Sequence, residues 1–489
     1  MTISESRSWR RKAIKYVFFV PAKGRQADGS RSSSFDFKAE TAAREEEEKM
    51  SLLDKISSIP KSDWLINIQE KLDQVPPLEG SSSWLNNCIF RVPENLREIE
   101  PKAYIPQVVS IGPYHRGKAC LKFMERHKWR LLRHVIERTG HSLELYLEAM
   151  AELEEKTRRC YANSTKVSNS REFIEMMLLD ACFILELLRV SVKGFIYCGY
   201  SWGDPIFTCR GVLPSIQRDL LKLENQLPLF VLDRLFSLTC EADETITVTN
   251  LALQFFESVG CEKIDHSLAH ANEPGLHFLH VVRQSLLPSP KATFGCAPIM
   301  IDHQAQLMMH CVSSLKDSGV KFRKKKSEKF MDIEFKNGFL YIPPLVIHDS
   351  TKAIFLNLMV FEQCYPHCSN HVTSYISFMD GLINCPRDVG HLRFQGIIDH
   401  GLGSEEEVAG LFNKLCKEIA FDINDCYLSG VSAEVNKYFD RRWHTWRATL
   451  KHEYFSNPWA ILSLLAAILL IFLTLAQTFY TVLAYHFPS

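Results

Sequence analysis

The sequence predicts a mainly α-helical fold that carries a small antiparallel β element and ends in a single C-terminal transmembrane helix. Three observations lead there. Apolar residues recur at three- and four-residue steps through most of the chain, one short region alternates around an Asn-Gly pair, and residues 459–485 contain no formally charged side chain.

The helical body is expected over residues 51–425. Its 46% hydrophobic and 23% charged composition supplies material for a sizeable core. Leu121, Met124, Leu131, Leu132 and Val135 share a helix face that stops near Gly140. Phe173 to Val190 is almost wholly apolar and predicts a central buried helix, and Ser404 with Glu407 has capping-box spacing ahead of Val408, Leu411 and Phe412. The β element is expected near 320–342. Val320-Lys-Phe322, Phe330 to Phe335 and Phe339 to Ile342 read as short strands, with Asn337-Gly338 as a hairpin turn.

Residues 1–50 read as a disordered extension, basic at first and acidic at Glu45 to Glu48. A transit peptide and a start at Met50 both stay open for this stretch. Ala13 to Val20 is too short, and too interrupted by Lys15, for a secretory signal. The 15 cysteines show no regular framework and are expected to be reduced, small apolar residues. With 57 basic and 57 acidic residues the net charge is zero, which argues against a nucleic-acid partner.

The C-terminal part divides in two. Residues 426–458 predict an amphipathic juxtamembrane helix, with Leu428, Val431, Val435, Phe439, Trp443, Trp446, Leu450 and Tyr454 on one stripe. Its first half can pack on the body and its second lie at the headgroup layer, where Arg441, Arg442, Trp443, Trp446, Arg447 and Lys451 are the interfacial residues. Residues 459–485 then span a bilayer about 30 Å thick, with Trp459, Ile461, Leu465, Leu469, Phe472 and Tyr480 among the anchoring side chains. Arg and Lys lie upstream of the span and none downstream, which predicts a cytosolic body and a tail inserted after translation.

Four motifs invite a chemical reading. Gly112-Pro-Tyr-His-Arg-Gly117-Lys118-Ala119 has the layout of a phosphate-binding loop, but Pro113 removes an N–H and Ala119 offers no hydroxyl for a metal. Cys364, His367, Cys368 and His371 are zinc-type ligands packed too closely, beside Pro366, for an ordinary site. Asp180, Glu186 and Glu224, with Asn225 and Gln226, are read as structural groups paired with cations or backbone N–H groups around Pro228. Lys321, Arg323, Lys324, Lys325, Lys326 and Lys329 form a basic cluster, read as a solvated turn or, second, a contact for anionic lipid. Asn163-Ser-Thr165 is a glycosylation sequon, unused if the body is cytosolic. Gly401-Leu-Gly403 lacks the third glycine of a dinucleotide loop, and no G-x-S-x-G, H-E-x-x-H or kinase set occurs. No catalytic, cofactor-binding or metal-binding residue is therefore assigned, and no cofactor or small-molecule substrate is expected.

Several longer motifs carry a resemblance: Cys88-Ile-Phe-Arg-Val-Pro-Glu-Asn-Leu-Arg97, Ala103-Tyr-Ile-Pro-Gln-Val-Val-Ser-Ile-Gly-Pro-Tyr-His-Arg-Gly117, Asp180-Ala-Cys-Phe-Ile-Leu-Glu-Leu188 and Leu223-Glu-Asn-Gln-Leu-Pro-Leu229. Ile342-Pro-Pro-Leu-Val346 and Phe378-Met-Asp-Gly-Leu-Ile383 add to them. Over about residues 65–485 the chain resembles the plant "domain of unknown function 247" family. The resemblance implies a plant protein with one C-terminal span, no established activity, and relatives implicated in self-incompatibility, defence or growth signalling. Residues 1–50 depart from the family pattern. The expectation is a non-catalytic, membrane-anchored recognition, signalling or scaffold protein with unknown protein partners, at the plasma membrane. The alternative is a tethered enzyme, nucleotide-dependent or a carboxylate-based hydrolase.

Overall fold

A computed structural model describes residues 63–73, 87–162, 167–240, 246–257, 275–288, 309–327, 329–419, 426–440 and 458–486. The extension at 1–50, the sequon at 163–165 and the interfacial residues Arg441, Arg442, Trp443, Trp446, Arg447 and Lys451 lie outside them. The chain divides into two units, Met1–Asn86 and Asn87–Ser489. The first is described through one helix, α1 (Asp63–Asp73).

In the second unit α2 (Glu94–Ile99) and α3 (Pro101–Tyr104) precede an extended segment, and then come α4 (Lys122–Thr139) and α5 (Leu143–Cys160). The central helix is α6 (Ser170–Lys193), and almost every side chain from Phe173 to Val190 is buried, as the apolar run requires. Asn169 caps its start by accepting from the Arg171 N–H at 3.0 Å. Around α6 pack α4, α5, α8 (Leu229–Thr239) and α9 (Val248–Phe256), while α7 (Val212–Leu220) leads into the turn before α8. All five residues on the expected face of α4 are buried, and Gly140 at φ +69° closes the helix.

A second group of helices follows: α10 (Phe278–Leu286), α11 (Val312–Asp317), α12 (Thr351–Cys364), α13 (His371–Leu382), α14 (Pro386–Phe394) and α15 (Glu405–Leu415). Buried residues of both groups belong to one core. Ser404 accepts from the Glu407 N–H as expected, but the Glu407 carboxylate returns to the Gly403 N–H.

The β content is mixed, which corrects the antiparallel expectation. β2 (Glu334–Lys336) and β3 (Phe339–Ile342) form the predicted hairpin across Asn337-Gly338, where both residues have positive φ. β1 (Lys321–Lys324), however, pairs with β3 in parallel. The connection 325–333 carries the chain over to the far side of β3, so β1 and β2 are not neighbours. A second, unforeseen sheet pairs β4 (Leu345–Ile347) in parallel with β5 (Ile398–His400).

Residues 429–439 form α16, which packs on the body as the first half of the expected stripe. Val435 is buried, Tyr438 meets Phe335 edge-on at 5.7 Å, and Phe439 stacks on His310 at 3.9 Å. Last comes α17 (Pro458–His486), 29 residues long and without an acidic or basic side chain other than His486. Its described side chains run unbroken only over 465–481, and among the described residues no helix is long and apolar enough to cross a membrane. The stretch 459–485, where a span was expected, is helical in its backbone, and the side chains of Trp459 and Ile461 lie outside the description.

Candidate functional site

Two of the expected motifs, the loop 112–119 and the set Asp180, Glu224, Asn225 and Gln226, meet in one buried polar lattice beside α6. Its organising piece is the turn 221–228, which joins α7 to α8. From the end of α7, Asp219 accepts the N–H groups of Gln107, Val108 and Val109 at 2.6–3.1 Å. Asn225 accepts from Ile111 at 2.7 Å and donates to Val109 O. Asp180 on α6 accepts from Gly112 at 2.8 Å and from Lys128 Nζ at 2.6 Å. Lys128 is itself fully buried and also reaches Glu125 and Ser110 O. An extended segment without sheet partners needs such acceptors, because a buried unpaired N–H costs about 1–3 kcal/mol.

Glu224 holds a second segment. It accepts from the Val92 N–H at 2.8 Å and pairs with Arg97. His115 Nε2 lies 3.0 Å from its other oxygen, close enough for electrostatic contact though off the line of a hydrogen bond. Burial alone would raise the Glu224 carboxyl, but His115, the Val92 N–H and Arg97 outweigh it and the net shift is downward. Burial lowers His115, and Glu224 only partly offsets that, so a neutral imidazole faces a carboxylate. Gln226 completes the turn by donating to Leu220 O and Lys222 O and accepting from the Leu279 N–H.

The loop 112–119 is built into this lattice. A phosphate cradle turns its N–H groups toward the ligand. Here the Ile111 and Gly112 N–H groups point inward to Asn225 and Asp180, and Tyr114 donates to Ile89 O and Ala162 O. Gly112 is required: it has φ +69°, and a Cβ there would stand 2.7 Å from Gln226 O and 2.9 Å from the Tyr161 hydroxyl.

The carboxylates do not form a pair. Asp180 faces Lys128, whereas Glu186 accepts from Arg138 at 2.7 Å and Tyr200 at 2.9 Å. Nor do the Cys and His of 364–371 gather as ligands, and among the described residues no group of three or more His, Cys, Asp or Glu could hold a metal. Cys364 and Cys368 pack against the core, burial pushes the Cys364 thiol up to about 11, and His371 lies beside the Tyr427 ring at 5.0 Å. That junction is fixed instead by Glu362, which caps α13 by accepting the Val372 and Thr373 N–H groups and pairs with Arg283 at 2.9 Å. In the basic cluster, Lys321 and Arg323 lie over the Phe339 ring, Lys325 pairs with Glu334, and Lys329 donates to Ser285 O. A polar cleft of about 170 Å³ opens beside α3, α7 and α12, where Lys222 contacts Asp219 and Lys352 contacts Glu100.

Four of the six segments that carried the resemblance meet in the lattice, and a family described as "Plant protein of unknown function", DUF247, matches residues 89–473. The chain belongs to the DUF247 family. It is 33% identical over 419 residues to UPF0481 protein At3g47200 of Arabidopsis thaliana, covering 81% of this chain and 87% of that protein. It is 24% identical over 511 residues to Putative UPF0481 protein At3g02645 of the same plant, covering 85% and 94%. No solved structure matches. In this DUF247 chain the motif residues with resolved roles hold backbone segments together. The roles of Lys128, Asp219, Arg283 and Glu362 were missed from sequence. Arg283 and Glu362 stand as single charges in apolar stretches, which was their signal, whereas Lys128 and Asp219 lie among other charged residues and had none.

Proposed function

We propose that this DUF247 protein is a non-catalytic recognition or scaffold protein held to a membrane by α17, with its body on the cytosolic side. One observation carries the reading: the described apolar side chains of α17 face outward all around the helix, with Leu473 54% and Tyr480 70% exposed. An exposed helix that is apolar on every side has lipid as its fitting surroundings. Its threonines agree, because Thr474, Thr478 and Thr481 each donate to the carbonyl four residues earlier and so need no water. The basic flank 441–451 supports the orientation, and the resemblance supports the plasma membrane. Confinement to a surface raises the effective concentration of the body toward membrane-bound protein partners.

The test is protease treatment of sealed vesicles bearing the full chain. The body should be digested and a C-terminal fragment protected, with Asn163 unglycosylated. A protected, glycosylated body would reverse the orientation. The enzyme alternative is checked by nucleotide binding with Lys118→Ala as control, and saturable binding lost in that variant would replace the non-catalytic reading.

A further inference from the structure

Away from the lattice, one face of the body is both cationic and aromatic. On α4 the exposed stripe runs Lys122, Arg126, Trp129 and Arg133, with Phe123 beside it. Phe123 is 65% and Trp129 50% exposed. Lys122 opens the helix at the positive end of its dipole, where a cation costs local stability, so helix formation does not account for it. Against the neighbouring side of α4 lies the loop 194–208, which presents Tyr197 at 91% and Trp202 at 78% exposure.

The loop is held firmly. Arg130 on α4 pairs with Asp204 through both guanidinium nitrogens, and Asp204 also accepts from the Ile206 and Phe207 N–H groups. His134 Nε2 lies 2.7 Å from Cys198 O, and the His134 and Tyr200 rings are 4.4 Å apart. The acidic groups in and beside this face are engaged: Asp204 by Arg130, Glu125 by Lys128, and Glu137 by Arg133. Large aromatic rings are thus fixed in water next to cations, a combination that suits a layer apolar below and anionic above.

We infer that this face, the Lys122–Arg133 stripe of α4 with Tyr197 and Trp202, docks on the anionic headgroup layer of the membrane that holds α17. The inference rests on the anchored reading. Only residues 440–457 join α16 to α17, and a fully extended chain of that length reaches about 60 Å. The body is then confined within that distance of lipid, and modest attraction per cation suffices for docking.

The experiment reconstitutes the full chain in nanodiscs of phosphatidylcholine alone or with phosphatidylserine and measures amide hydrogen exchange. Peptides covering 122–133 and 194–210 should exchange about fivefold more slowly in the anionic discs only. Lys122→Glu with Arg126→Glu should abolish the difference, and so should Tyr197→Ser with Trp202→Ser. All four side chains are exposed, so both variants should keep the fold, which circular dichroism checks. Equal exchange in the two discs, or protection that survives both variants, overturns the inference and leaves the face to a protein partner. Failure of the anchor itself is read separately, as protein that does not stay with the discs.

Discussion

Gly112 is the tightest single position. A methyl group there meets Gln226 O and the Tyr161 hydroxyl, and φ +69° disfavours any side chain. Gly112→Ala should cost about 3 kcal/mol, seen as a lower urea midpoint at an unchanged slope. Lys128 and Asp180 allow a sharper comparison. Lys128→Met strands a buried carboxylate and should cost about 4 kcal/mol, whereas Asp180→Asn keeps an acceptor for the Gly112 N–H and should cost less. The reverse order in urea unfolding would mean that Asp180 is held mainly by the backbone. At this scale the sequence announced residue types but not partners. Glu224 reads as a charge in an apolar stretch, and nothing local says that the Val92 N–H, far upstream, is what it accepts.

Elements were legible where one period runs long enough. The apolar run Phe173–Val190 gave α6, Gly140 ended α4, and Asn337-Gly338 made its hairpin. Strands of three or four residues carry too little pattern to show a partner, so the parallel pairing of β1 and the whole β4–β5 sheet were missed. The loop 112–119, read as lacking what a phosphate cradle needs, shows a related limit: glycine spacing shows where the backbone turns, not where its N–H groups point. At the 364–371 junction, Glu362 and Arg283, which fix it, were not foreseen. Glu362→Gln weakens the α13 cap and leaves Arg283 without its carboxylate. It should cost about 3 kcal/mol, and amides 371–374 should exchange faster than those of α6.

For the whole molecule, buried histidines set the response to acid. Burial, with His280 nearby, lowers His277 to about 3, and burial, with Arg283 nearby, lowers His280 to about 4. Both stay neutral in the fold and protonate near pH 6.5 when unfolded. Stability is therefore full above pH 6.5 and falls as pH drops toward 4, by about 2 kcal/mol per histidine at pH 5. Thermal unfolding between pH 7 and 5 should show the decline, and His277→Gln should reduce it. Below that window Glu224 adds loss in the same direction as its carboxylate protonates. The anchor belongs to this scale too, since it decides where the body works. The most direct measurement compares the full chain with one ending at Asn457 after alkaline washing of membranes. The full chain should remain in the pellet until detergent is added, and the shortened chain should move to the supernatant. A full chain released by the alkaline wash, or a shortened chain that resists it, would contradict anchoring by α17.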